Sequence, residues 1–135
     1  MIRLSARFDQ YAYSVPVKVA PELLENGFEE GQWVTPGENG YVLATDAKKK
    51  AFMLISSKRP GRDQFSGKVG APAQIYVGPF ALETDQVKDD DTFTPGAPLY
   101  VGADGKLTVT GGEGALVAAY VAGVYTNGFL PIVAA

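Results

Sequence analysis

Short apolar stretches rich in Val, Tyr, Phe, Leu and Thr, parted by Gly, Pro, Asn and Asp, run the length of this chain. That pattern predicts many short strands, because helices would instead repeat apolar residues every three or four positions. The clearest alternation lies at 106–110, where Leu107 and Val109 interleave with Lys106, Thr108 and Thr110. Strands are predicted at 11–19, 32–35, 41–45, 51–56, 68–77, 80–83, 98–101, 106–110, 116–125 and 130–133. The one helical signal is Pro21-Glu22-Leu23-Leu24-Glu25-Asn26-Gly27, with Pro suited to a first helical position, Glu to the positive end and Gly to the stop. It predicts one or two turns. The expected fold class is all-β, a small β-barrel or sandwich of short strands and glycine-turned hairpins, with at most one short helix. Residues 1–30 read as an N-terminal arm or strand with a short helical turn, and 31–135 as a single β domain.

The hairpins carry an internal correspondence. An offset of 65 positions aligns Phe28 with Phe93, Gly31 with Gly96, Val34 with Leu99, Gly37 with Gly102, Asn39 with Asp104, Gly40 with Gly105, Val42 with Leu107 and Thr45 with Thr110. Each copy is a strand, a Gly-x-Asn/Asp-Gly turn and a return strand, and Asn-Gly or Asp-Gly supplies the positive φ that tight hairpins need. The offset reads either as a duplication or as turn chemistry that β proteins repeat in any case.

Length and composition narrow the class. A chain of 135 residues with 46% hydrophobic and 20% charged residues suits one globular domain with its own core. No apolar run approaches the ~20 residues that span a bilayer, and the longest, 115–125, is broken by Gly123. The start, Met1-Ile2-Arg3-Leu4-Ser5-Ala6-Arg7, predicts no export signal. With no Cys and no His, there is neither a thiolate ligand or nucleophile nor the usual general base and metal ligand, so a reducing cytoplasm is suitable and a catalytic role is disfavoured.

Charge is unevenly spread. Residues 46–70 hold seven basic residues (Lys48, Lys49, Lys50, Lys58, Arg59, Arg62, Lys68) against Asp46 and Asp63, a net of +5, and the remainder carries −8. Such two-sidedness favours docking against a partner of complementary pattern. The acidic total of −3 and pI of about 4.9 argue against a general phosphate binder, so Lys48-Lys49-Lys50 and Lys58-Arg59-Pro60-Gly61-Arg62 read as a solvated or protein-facing basic edge rather than a nucleic-acid site.

Local motifs give no cofactor, catalytic or metal site. Gly61-Arg62-Asp63-Gln64-Phe65-Ser66-Gly67-Lys68-Val69 has five residues between its glycines and no Ser or Thr after Lys68, so it is an exposed basic loop and not a phosphate loop. Gly111-Gly112-Glu113-Gly114 opens no helix and reads as a flexible turn. Asp89-Asp90-Asp91 lacks calcium-loop spacing and reads as a solvated loop. A carboxylate pair for glycoside hydrolysis needs no local motif, and none stands out. Phe8, Tyr11 and Tyr13, alternating towards Val15, are either core residues or an arm laid across a neighbouring subunit.

Three ordered pieces between Ser57 and Val109 carry a likeness to a known family. They are Arg59-Pro60-Gly61-Arg62-Asp63-Gln64-Phe65-Ser66-Gly67-Lys68-Val69, then Ile75-Tyr76-Val77-Gly78-Pro79-Phe80-Ala81-Leu82-Glu83-Thr84-Asp85, then Phe93-Thr94-Pro95-Gly96-Ala97-Pro98-Leu99-Tyr100-Val101 running into Asp104-Gly105-Lys106-Leu107-Thr108. In this order the stretch resembles the capsid decoration, or cement, proteins of tailed bacteriophages. There an Arg/Asp-containing loop precedes a strand, a Gly-x-Phe turn follows, and a glycine hairpin leads to closing strands, here 117–124 and 130–133.

The resemblance covers roughly the last 80 residues. It implies a β-barrel or β-tulip-like domain, made in the bacterial host cytoplasm, that binds the outside of a phage head and stabilises the lattice of the major capsid protein. No cofactor, membrane or nucleic acid is expected. A homotrimer on a local three-fold axis is the first expectation and a dimer the second. The protein-contacting residues expected on this basis are Phe8, Tyr11, Tyr13, Arg59, Arg62 and Asp63, with the N-terminal segment reaching the shell. Two alternatives stand beside it: a phage tail or baseplate component, and a small carbohydrate-binding module using Trp33, Tyr41, Tyr76 and Tyr100 as stacking faces.

Overall fold

A computed structural model describes residues 2–4, 13–57 and 73–134. The chain is all-β with one short helix, its sheets curled into a half-barrel. In chain order the elements are β1 (Ile2–Leu4), β2 (Tyr13–Val17), α1 (Pro21–Asn26), β3 (Trp33–Gly37), β4 (Gly40–Leu43), β5 (Phe52–Met53), β6 (Ala73–Val77), β7 (Phe80–Thr84), β8 (Pro98–Val101), β9 (Leu107–Thr108), β10 (Ala119–Val121) and β11 (Leu130–Ala134). A 3-10 turn over Ala103–Gly105 joins β8 to β9.

The largest sheet runs β1-β7-β11-β10-β8-β9, a second runs β4-β3-β5, and β2 pairs with β6. Every strand pair is antiparallel. A bridge from Leu54 to Ile75, with Ile55 N donating to Gln74 O at 2.9 Å, ties β5 to β6. The turn from β6 into β7 passes through Gly78 at φ +95, a conformation that only glycine adopts without cost.

Side-chain alternation divides the interior in two. Trp33 and Met53 point into a main cluster with Leu82, Leu99, Leu107, Leu130 and Ile132. Their sequence neighbours Val34 and Leu54 point the other way, into a second cluster with Val19, Leu23, Phe28 and Ile75. Because strand side chains alternate faces, β3 and β5 are covered on both sides and separate two apolar layers. Helix α1 closes the outer layer. Its Leu23 is buried, Leu24 N donates to Ala20 O at 3.2 Å, and Gly27 at φ +81 ends the helix by donating to Leu23 O.

Both anticipated hairpins form, but their turns differ. In β3–β4, Gly37 faces Gly40 across Glu38 and Asn39, and the positive φ falls on Gly40, at +124. In β8–β9, Asp104 (φ 57) and Gly105 (φ +68) are both left-handed. The strand expectations need several adjustments. β1 was not anticipated, since three residues carry too little periodicity to read. The segment 116–125 forms strand only over Ala119–Val121. Upstream, Leu116 N donates to Ala47 O at 2.7 Å, diverting the chain, and downstream Gly123 packs against the Pro131 ring. Segments 51–56 and 106–110 shorten to Phe52–Met53 and Leu107–Thr108, because their flanking residues hydrogen-bond outside the ladders.

Candidate functional site

The outward face of the largest sheet follows from its register. In β10, Ala119 and Val121 point inward and Tyr120 outward; in β11, Leu130, Ile132 and Ala134 point inward and Val133 outward. Tyr120 pairs with Val133 on one side and with Pro98 on the other. Directly opposed residues share a face, so Pro98, Tyr120 and Val133 form a row across three strands, flanked two residues along by Tyr100 and Pro131. Tyr120 is 43% exposed and Val133 40%. Glu83, opposite Pro131, is the one charged position in this flank of β7 and β11.

Tyr100 is held in place from below. A Cβ on Gly111 would lie 2.7 Å from its ring, so a residue without a side chain lets the loop lie flat against the aromatic. Further apolar groups stand beyond the sheet. Leu116 and Val117 are exposed ahead of β10, Val124 behind it, and Tyr125 sets its ring 5.4 Å from that of Phe93. Six of the nine large exposed hydrophobics among the described residues therefore fall within 116–133, and two of them, Tyr120 and Val133, are aligned by the register. Isolated exposed apolar residues are ordinary, whereas a contiguous patch marks a contact surface.

The family models, curated proteins and solved structures include no match to this chain. The reading of the surface therefore rests on residues and geometry.

The remaining three exposed hydrophobics lie on the β2–β6 ribbon, where Tyr13 pairs with Val77 and Val15 with Ile75. Val17 and Ala73 anchor this face in the second cluster, and it emerges into solvent at Tyr13, which is 74% exposed. Of the two readings for Tyr13, core and surface arm, its position is that of a surface residue. Phe8, Tyr11, Arg59, Arg62 and Asp63 lie outside the described residues. In the basic edge, Lys48 N donates to Asp46 Oδ1, and the Lys50 ammonium sits 5.7 Å above the Phe52 ring.

The four aromatics considered for sugar stacking are each engaged with other parts of the fold. Trp33 is buried, Tyr41 meets Phe52 edge to face, Tyr76 stacks near Phe80, and Tyr100 is backed by Gly111. In the acidic run, Asp89 and Asp90 are exposed, but Asp91 departs from the solvated-loop expectation. Its Oδ2 accepts from Thr108 Oγ1 at 2.7 Å and from Val109 N at 2.9 Å, locking the turn to β9. Beside it, Lys88, Asp90, Asp104 and Lys106 rim a hollow of about 520 Å³. The Lys88 Nζ to Asp90 separation of 3.9 Å between exposed groups makes this a hydrated rim. Among the described residues, no group of three acidic, His or Cys side chains is placed to hold a metal ion, and no helix is long and apolar enough to cross a membrane.

Proposed function

We propose that this chain is a structural binding module that grips other protein surfaces, and that it serves as a decoration protein on the outside of a tailed-phage head. The observation that carries the gripping role is the apolar row Pro98–Tyr120–Val133 on a regular sheet face. A largely uncharged face built on hydrogen-bonded strands loses little entropy on docking and offers area without chemistry. The phage setting is supported by the ordered motifs between Ser57 and Val109. In this reading the partner is the major capsid protein. A cyclic oligomer, a trimer first and a dimer second, engages several identical capsid sites and gains avidity from contacts of roughly 800 Å² per partner.

The test is thermal opening of heads assembled with and without the chain, followed by nuclease access to the packaged DNA. Decoration predicts opening at lower temperature without it, restored by adding back the purified protein. Equal opening temperatures, or co-purification with tails instead of heads, would overturn the assignment.

A further inference from the structure

Between the edge of β5 and the β6–β7 turn lies a cleft of about 220 Å³, lined by Trp33, Lys50, Phe52, Tyr76 and Phe80 among others. Three of its rings are coupled: Trp33 to Phe80 at 6.2 Å between centroids, and Phe80 to Tyr76 at 5.1 Å. Small residues, Ala51, Gly78, Ala118 and Ala134, keep the space between them open.

Two polar features set its chemistry. Trp33 is 3% exposed, and its Nε1–H is the one buried side-chain polar atom without a hydrogen-bond partner among the described residues. A buried donor left unpaired is costly, and few native structures keep one without a reason. Lys50 holds its ammonium 5.7 Å above the Phe52 ring, at the exposed side of the cleft. Among the described residues, no carboxylate lines this space. The accessible polar group is the ammonium, which can only donate, so what complements it is an acceptor with negative charge.

We propose that this cleft binds a small planar apolar group carrying a carboxylate, an aryl carboxylate in chemical class. The ring enters between Tyr76, Phe80 and Phe52, while the carboxylate meets the Lys50 ammonium at the exposed side and the Trp33 indole forms part of the lining. The volume fits one ring and its substituent, below the 300–1,000 Å³ typical of larger ligand pockets. This site is separate from the Pro98–Tyr120–Val133 face and does not depend on the phage assignment.

The chain has a single tryptophan, so its indole N–H gives one resolved resonance in a ¹⁵N–¹H spectrum. Titration of the full chain with benzoate is expected to shift that resonance saturably, because the indole lines the cleft. Benzamide, with the same ring and no charge, is expected to bind about fivefold more weakly, the discrimination that one partly exposed ion pair of about 1 kcal/mol supports. Lys50→Gln is expected to erase the difference between the two probes while leaving the rest of the spectrum in place, since the Lys50 side chain is exposed. An indole resonance unmoved by benzoate up to about 20 mM, a range that already reaches very weak binding, would overturn the site. So would equal affinities for benzoate and benzamide in the unaltered protein.

Discussion

Gly105 lies so close beneath Trp33 that a Cβ built on it would come within 2.7 Å of the Trp33 carbonyl oxygen. Gly105 N also donates to Ala44 O, and Gln32 Nε2 to Asp104 O. The turn of the β8–β9 hairpin is therefore seated on the backbone of the β3–β4 hairpin, which fixes the largest sheet against the middle one.

Gly105→Ala is expected to cost about 3 kcal/mol, combining left-handed strain with a backbone clash. Gly96 has a similar conformation, φ +89, but nothing within 4 Å of its would-be Cβ. Gly96→Ala is accordingly expected to cost only about 1 kcal/mol. Urea denaturation of both variants checks the contrast, and equal losses would contradict the seating.

Asp91→Ala removes the acceptor shared by Thr108 Oγ1 and Val109 N. The expected loss is about 2 kcal/mol, because two partly buried donors lose their partner. Asp90→Ala, at an exposed neighbour, is expected to stay within about 0.5 kcal/mol of the parent protein. Thermal unfolding of the pair separates the bonded carboxylate from the solvated one.

Leu99 and Leu107 are fully buried in the main cluster. Truncating either to Ala is expected to destabilise the fold by about 3 kcal/mol through lost transfer energy and the cavity left behind. Calorimetry of the two variants measures it.

On the outer face the expectation is reversed. Tyr120→Lys with Val133→Lys is expected to leave stability within about 1 kcal/mol, since both residues are already partly in water, while abolishing retention on phage heads in a sedimentation assay. Wild-type retention by the double variant would remove this face from the docking surface.

The sequence makes the class of the fold legible because strand-period alternation and turn glycines are local signals. Leu107 is buried as its pattern predicts, whereas Thr108, expected on the solvent side, is buried with its hydroxyl bonded to Asp91, and the Pro21 to Gly27 signal matches α1. The outward face of the largest sheet is less legible for a physical reason. Apolar runs such as 116–125 look like core in one dimension, yet Leu116, Tyr120 and Val124 face solvent, and only the register between β8, β10 and β11 shows which residues align. The unpaired indole of Trp33 is also invisible in sequence, since partner geometry decides it. Asp91 differs from Asp89 and Asp90 through contacts with residues 17 and 18 positions away, beyond any local motif.

The middle sheet sends Trp33 and Met53 into one apolar layer and Val34 and Leu54 into the other. Melting either layer would strip one side of the same two strands and leave apolar surface facing water. Neither can be lost alone, so heat should dissolve the described fold in a single cooperative step with matching calorimetric and van't Hoff enthalpies. Amide protons of β3 and β5 should then exchange only through global opening. A small protein held in this way resists partial unfolding, so neither apolar layer is exposed to proteases or to aggregation short of global opening.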